Sequence, residues 1–248
     1  MPAEPATTCQ SGDEGVLGGS ERPGWPISAL PCLVFLVASW ILVAVARSLM
    51  SPWAQEESFL GPVTLSALAL VDLGLCSAIV LWVRLTRPAA LREILGLRGA
   101  PQRMLLAGGL AGAALVVFPF SSVFLGASQD YRAIDLGVAL PFFALVYAPL
   151  FEEFIYRGYL FAGLRASWGL LPAAVLTTGA FLLAHINKID APNGDALMLD
   201  DTVFCLVALA LRLWSGSLGP PVAFHFAFNA TLLAFGLSGV EHWAQQDM

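Results

Sequence analysis

The stretch Pro149-Leu-Phe-Glu-Glu-Phe-Ile-Tyr-Arg-Gly-Tyr-Leu160 sets two adjacent carboxylates, Glu152 and Glu153, and a guanidinium, Arg157, inside an apolar run that extends over 137–164. An ionised side chain near the centre of a bilayer costs several kcal/mol unless it faces a polar cavity or a partner, so intramembrane acids are functional candidates. Further along the chain the same kind of apolar sequence carries Phe181 and His185, then His225 and Asn229. Reading outward from this stretch therefore means asking whether the chain lives in lipid, and whether these residues meet.

Of 248 residues, 58% are hydrophobic and only 12% charged, with a mean hydropathy of +0.76. Such values lie outside the range of soluble domains and point to an integral membrane protein. A span needs roughly 18 or more apolar residues to cross about 30 Å of hydrocarbon. Runs of that kind fall at 27–46, 62–83, 104–125, 137–164, 170–186 and 219–237. A further run, 202–214, is short for a full crossing and is read as tilted, packed inside the bundle or re-entrant. The expected fold is all-α: a polytopic transmembrane helical bundle of about seven spans around an intramembrane polar cavity.

Residues 1–26 are polar, rich in Gly, Pro, Ser and Glu, and carry one cation, Arg22, so they lack the basic start of a secretory signal. They read as a disordered tail, and the first apolar run as a retained helix. Residues 27–136 then hold the amino-terminal spans and a basic cytoplasmic loop, 137–238 the polar core, and 239–248 a short carboxyl-terminal tail. Cys9, Cys32, Cys76 and Cys205 are scattered, with neither a CxxC pair nor a histidine at ligand spacing, so the cysteines indicate neither zinc ligation nor a disulfide framework.

With seven crossings, one side collects Arg22, Arg84, Arg87, Arg92, Arg98, Arg103, Arg157, Arg165 and Arg212, and the other only Arg47, Arg132 and Lys188. Positive residues are retained in the cytoplasm, so the amino terminus is expected inside, in a multi-pass protein of the plasma (inner) membrane. The net charge of −6 is carried on the expected outer side by Glu56, Glu57, Asp190, Asp195, Asp200 and Asp201 among others. No nucleic-acid-binding patch is present, and none is expected among the partners. The basic segment 84–103 spaces Leu91, Ile94 and Leu95 between arginines, the pattern of a short helix lying on an anionic leaflet or of a plain topogenic loop.

Helical spacing groups the polar residues. Residues four apart share a face, so Glu153 pairs with Arg157, Phe181 lies below His185, and His225 lies below Asn229. Glu152 is turned by about 100° from Glu153, which gives the two acids different surroundings and different roles. A purely structural account, an ion pair tying helices together and histidines bonded to carbonyls, serves any one of these residues. It explains poorly why separate apolar segments all carry them, because helix association in lipid usually relies on small residues, present here as Gly108, Gly109, Ala111 and Gly112.

Peptide hydrolysis needs a base that activates water and donors that stabilise an oxyanion. Glu152 can be the base, with His185 or His225 sharing the proton, and Asn229 with His225 can supply the donors. The competing chemistry is a zinc site of Glu152, His185 and His225 with an open position for water. No His-Glu-x-x-His helix is present, and Asn229 is a poor zinc ligand but a good oxyanion donor. The balance therefore favours metal-free chemistry without closing the zinc alternative. Ser167, Ser215 and Ser217 lack a Gly-x-Ser-x-Gly turn.

Glu-Glu-Phe-Ile-Tyr-Arg (152–157), Phe-Leu-Leu-Ala-His (181–185) and His-Phe-Ala-Phe-Asn (225–229) resemble, in order and spacing, the three motifs of the CAAX-protease and bacteriocin-processing family, also called Abi. These are intramembrane endopeptidases related to the Ras-converting enzyme. The resemblance covers about 141–235. It implies a helical bundle whose cavity is lined by the fourth to seventh helices, in which Glu152 activates water assisted by His185, and His225 and Asn229 stabilise the oxyanion. Glu153 and Arg157 then hold the site in shape, with Phe181 supporting it. It also implies a peptide or protein substrate, lipidated in eukaryotic relatives, met at the bilayer. Family precedent does not decide between a metal-free site and Zn2+.

Two other functions fit the same residues: a non-catalytic immunity or adaptor protein on this fold, and a proton-coupled transporter, which would show internal repeats. One tension remains inside the protease reading. Helices starting at 170 and 219 on the same membrane face would set His185 and His225 at depths differing by roughly 13 Å.

Overall fold

The computed structural model describes residues 29–54, 62–86, 88, 91–117, 139–186 and 194–234. The tails expected at 1–26 and 239–248, the cysteine at 9, the outer part of the 104–125 run, and Arg22, Glu56, Glu57, Arg87, Arg132, Lys188 and Asp190 lie outside the described residues. Among the described residues every regular element is helical, as the apolar runs predict.

Helix α1 covers Ala29–Ala54 and α2 Pro62–Thr86, where proline occupies the first turn, the one place a helix tolerates its missing N–H. A single turn, α3 (Leu91–Ile94), precedes α4 (Gln102–Val117). Helix α5, residues 139–168, is one continuous rod of mixed winding. The α-helical pieces Ala139–Phe142, Ala148–Glu152 and Phe161–Trp168 alternate with π-helical Phe143–Tyr147 and Glu153–Leu160. Helices α6 (Leu170–Ala184), α7 (Gly194–Ser215) and α8 (Gly219–Ala234) complete the bundle. Gly169 and Gly216 adopt φ of 87° and 64° where α5 and α7 stop. Positive φ costs glycine least, and both N–H groups close onto the preceding turn, at Arg165 O and Arg212 O, each at 3.0 Å.

One boundary differs from expectation in a way that matters. The short run 202–214 is the carboxyl-terminal part of a 22-residue helix about 33 Å long, so its length is that of a full crossing. The sequence suggested otherwise because Asp200 and Asp201 interrupt the hydropathy. In the fold neither is an external loop residue; both are buried inside the helix.

The helices pack α1 on α2 and α5, α5 on α6, and α4 most extensively on α8. At the α4–α8 seam Gly108 and Gly112 lie directly against the backbone carbonyls of Pro220 and Phe224. A side chain at either would occupy the position of the carbonyl, so two glycines four apart bring the backbones together. On the other flank Cys32 Sγ donates to Tyr159 O at 3.4 Å and the Phe35 ring meets Tyr159 edge-on at 5.7 Å, tying α1 to α5.

Burial is inverted relative to a water-soluble protein. Glu153 and Arg157 are 0% and 1% exposed, while Leu85, Leu110 and Leu171 are 73%, 72% and 74% exposed. By length and composition Ala69–Thr86 qualifies to cross a bilayer, and Ala29–Val45, Gln102–Val117 and Leu170–Ala184 are shorter apolar helices.

Candidate active site

The π-helical turns of α5 place its polar side chains. Wider winding, with i→i+5 hydrogen bonds, is rare and frequently marks functional sites. The second π segment begins at Glu153, so Glu152 ends an α-helical turn and its neighbour opens a wider one. Glu153 turns wholly inward, whereas the Glu152 side chain keeps 27% of its surface exposed. The different surroundings expected for the two acids are thus present.

Glu153 Oε1 accepts from Arg157 Nη1 at 3.2 Å, the pair expected from their spacing. The same oxygen lies 3.1 Å from His225 Nδ1 on α8. Because that oxygen already serves the guanidinium as an acceptor, Nδ1 carries the hydrogen and donates. The tautomer of His225 is fixed in this way, and its other nitrogen, Nε2, points to Glu152, 4.0 Å from Oε2. Glu153 Oε2 and Arg157 Nη2 are buried with no hydrogen-bond partner among the described residues, a demand that water or a substrate group can meet.

An aromatic wall closes the inner side. The Arg157 guanidinium lies over the rings of Phe181 and Phe204 at 4.7 and 5.6 Å, close enough for cation–π attraction. Phe204 meets His225 edge-on at 4.7 Å and also contacts Phe224 and Phe228. Phe181 is stacked with His185 at 4.4 Å, and His185 Nδ1 lies 3.0 Å from Phe181 O. A carbonyl only accepts, so this Nδ1 also bears the hydrogen and Nε2 is the basic nitrogen. Asn229 Nδ2 donates to Ala144 O at 2.8 Å, in the first π segment.

The structure therefore brings Glu152, Glu153, Arg157, Phe181 and His225 into one cluster, with Asn229 one turn beyond His225 and bonded to α5. On α6, Phe181 is the residue that packs against the Arg157 guanidinium. His185 extends from there by its ring stack, at the carboxyl-terminal cap of α6. Among the described residues no group of three or more His, Cys, Asp or Glu side chains is placed to hold a metal ion.

Two acids escaped the sequence reading. Asp72 on α2 accepts from the Tyr147 hydroxyl, and Glu152 is within electrostatic reach of both. Asp72 is the only Asp, Glu, Lys or Arg in the run 62–83, so the argument that singled out Glu152 applies equally to it. Asp201 shares electrostatic contact with Cys205 alongside Glu153 and Arg157; its signal was hidden by the misplaced start of α7.

Residues 134–231, which contain all three motifs, match the model of a family described as Rce1-like, type II CAAX prenyl endopeptidase. This segment is similar to the Rce1-like family. Rce1-like proteins are generally proteases and are typically membrane-embedded. The Rce1-like match begins in the residues leading into α5 and ends within α8, so the helices that build the cluster are those it covers. No curated protein and no solved structure is significantly similar to the chain.

Proposed function

We propose that this protein is an intramembrane endopeptidase that hydrolyses a peptide bond near the membrane surface, with Glu152 as the base that activates water. The observation that carries this reading is the half-buried Glu152 carboxylate, 4.0 Å from His225 Nε2 while His225 Nδ1 is held by the fully buried Glu153. The exposed leucines of α2, α4 and α6 support a membrane-embedded bundle, assigned in this reading to the plasma (inner) membrane.

Charge balance suggests how the proton moves. With both acids ionised, Glu152, Glu153 and Arg157 leave one excess negative charge in a poorly solvated site. A proton carried on His225, with Glu152 left ionised as the base, removes it. As Glu152 takes a proton from the attacking water, the hydroxide adds to the scissile carbonyl carbon. Neutral His225, with its hydrogen on Nδ1, offers no donor at Nε2; only as imidazolium can it donate there to the oxyanion. The proton that charges His225 thus prepares it both to stabilise the intermediate and to protonate the leaving amine.

Asn229 keeps a second amide N–H beyond the one given to Ala144 and is assigned to the oxyanion with His225. His185, basic at Nε2, assists Glu152. Glu153, Arg157 and Phe181 position these groups. No metal is invoked. The substrate is a membrane-associated peptide or protein, including one lipidated near its carboxyl terminus.

The test is cleavage of quenched peptides, with and without a lipid on the carboxyl-terminal region, by the full chain purified in detergent. Wild type is compared with Glu152→Ala and Glu152→Gln, and cleavage surviving in both variants removes the mechanism. A chelator is titrated into the same assay, and loss of activity restored by added metal transfers the reading to zinc.

A further inference from the structure

Arg212, in the last turn of α7, belongs to none of the three motifs, yet its side chain is turned onto α5. Its Nε donates to the main-chain oxygen of Arg157 at 3.3 Å. Arg157 lies inside the π-helical segment Glu153–Leu160. Under α-winding that oxygen would accept from the N–H four residues on, at Phe161. Here Phe161 N–H goes instead to Tyr156 O and Gly158 O. The wider turn thus withdraws one donor from the Arg157 carbonyl, and a side chain of another helix supplies one. A peptide oxygen away from water needs a donor, and a charged donor binds it more strongly than a neutral one.

The surroundings are fitted to that guanidinium. Gly96, at φ of 67°, lies against it: a Cβ there would stand 2.6, 2.7 and 2.9 Å from Arg212 Nη2, Cζ and Nε, closer than a carbon can approach. Gly96 is itself tied down, because its oxygen accepts from Leu218 N at 2.8 Å. Gly158, next to the Arg157 carbonyl, faces Leu95 O and the Leu218 side chain, each 3.3 Å from where its Cβ would sit. Segments 95–96, 157–158 and 218 therefore close around one side chain. Among the described residues the charged group that acts on Arg212 is Arg165, of like sign, so the carbonyl rather than a counter-charge accounts for the placement.

We propose that Arg212 is a positioning residue: its Nε, donating to Arg157 O, holds the wide turn of α5 that presents Glu153 and Arg157 to His225. Glu153 Oε1 meets both Arg157 Nη1 and His225 Nδ1 from within this turn. Relaxation toward α-winding would rotate Glu153 against the part of α5 beyond Arg157, and the contact that fixes the His225 tautomer would be lost. The consequence for cleavage rests on the protease reading; the consequence for the turn does not.

The experiment labels the full chain, in detergent, with arginine carrying a labelled carbonyl carbon and glycine carrying a labelled nitrogen. Only Arg98–Gly99 and Arg157–Gly158 then give a carbonyl–amide correlation by NMR. In Arg212→Met the Arg157 carbonyl signal should move upfield as it loses a charged donor, while the Arg98 signal stays. In the same variant kcat for quenched-peptide cleavage should fall roughly ten- to hundred-fold with KM nearly unchanged. Arg212→Lys, which keeps a donor able to reach the same oxygen, should retain most of the signal position and most of kcat, which separates the hydrogen bond from misfolding. Arg165→Gln, removing an exposed cation of α5, should alter neither. The proposal is overturned by an unmoved Arg157 signal in Arg212→Met, by a moved signal with unchanged kcat, or by a Lys variant no better than Met. Cleavage that persists in Glu152→Gln, or is absent from wild type, refutes the protease reading instead, and the carbonyl signal alone then decides whether Arg212 holds the turn.

Discussion

Glu152 and Glu153 are adjacent in sequence, yet the first keeps part of its surface exposed and the second keeps none. Their substitutions should therefore fail differently. Glu152→Gln removes a base and little packing; peptide cleavage is expected to fall by at least about 10²-fold, with the melting temperature of the detergent-solubilised protein nearly unchanged. Glu153→Gln leaves Arg157 buried without its counter-charge, and about 3 kcal/mol of stability should be lost, read as a lowered melting temperature. Equal thermal stability for the two variants would contradict the division of roles. At this scale the spacing of the residues was a sound guide: Glu153–Arg157 at four apart and the Phe181–His185 stack were both legible. The partner that orients His225 was not, because Glu153 lies on another helix 72 positions earlier, and no periodicity within one segment encodes contacts between segments.

Among the elements, the α4–α8 seam depends on close backbone approach. Gly112 has the Phe224 carbonyl where a Cβ would sit, while Gly109, on the same helix, faces open space. Gly112→Val is expected to cost about 1–3 kcal/mol through overpacking, whereas Gly109→Val should leave the thermal midpoint almost unchanged. Comparable destabilisation by both would mean that helix propensity, not the seam, governs. The seam also positions α8, which holds His225 and Asn229, both proposed for the oxyanion, so Gly112→Val should lower cleavage as well. A second link joins α2 to α5 through Tyr147 and Asp72. Tyr147→Phe should keep the fold but lower kcat, as Asp72 loses the donor that fixes it beside Glu152; unaltered kinetics would make the contact merely structural. Asp72 could have been found from sequence, being a lone acid in an apolar run. Inward placement of Asp200 and Asp201 could not, because hydropathy alone treats a buried acid and a loop acid alike.

For the whole molecule, exposed leucines on several helices and a charged interior are stable together only if the surroundings are apolar. Alkaline carbonate washing should leave the full chain in the membrane pellet, and its release into the supernatant would refute embedding.

Composition alone determined that the chain is helical and lipid-compatible, because a backbone in hydrocarbon must satisfy its hydrogen bonds within each segment. The motifs, through their spacing, singled out the side chains proposed to carry the chemistry. Only the tertiary structure decided which oxygen faces which nitrogen. That outcome depends on the π-winding of α5, the glycine-mediated approach of α4 to α8 and the full length of α7, each a packing solution that joins segments far apart in the chain.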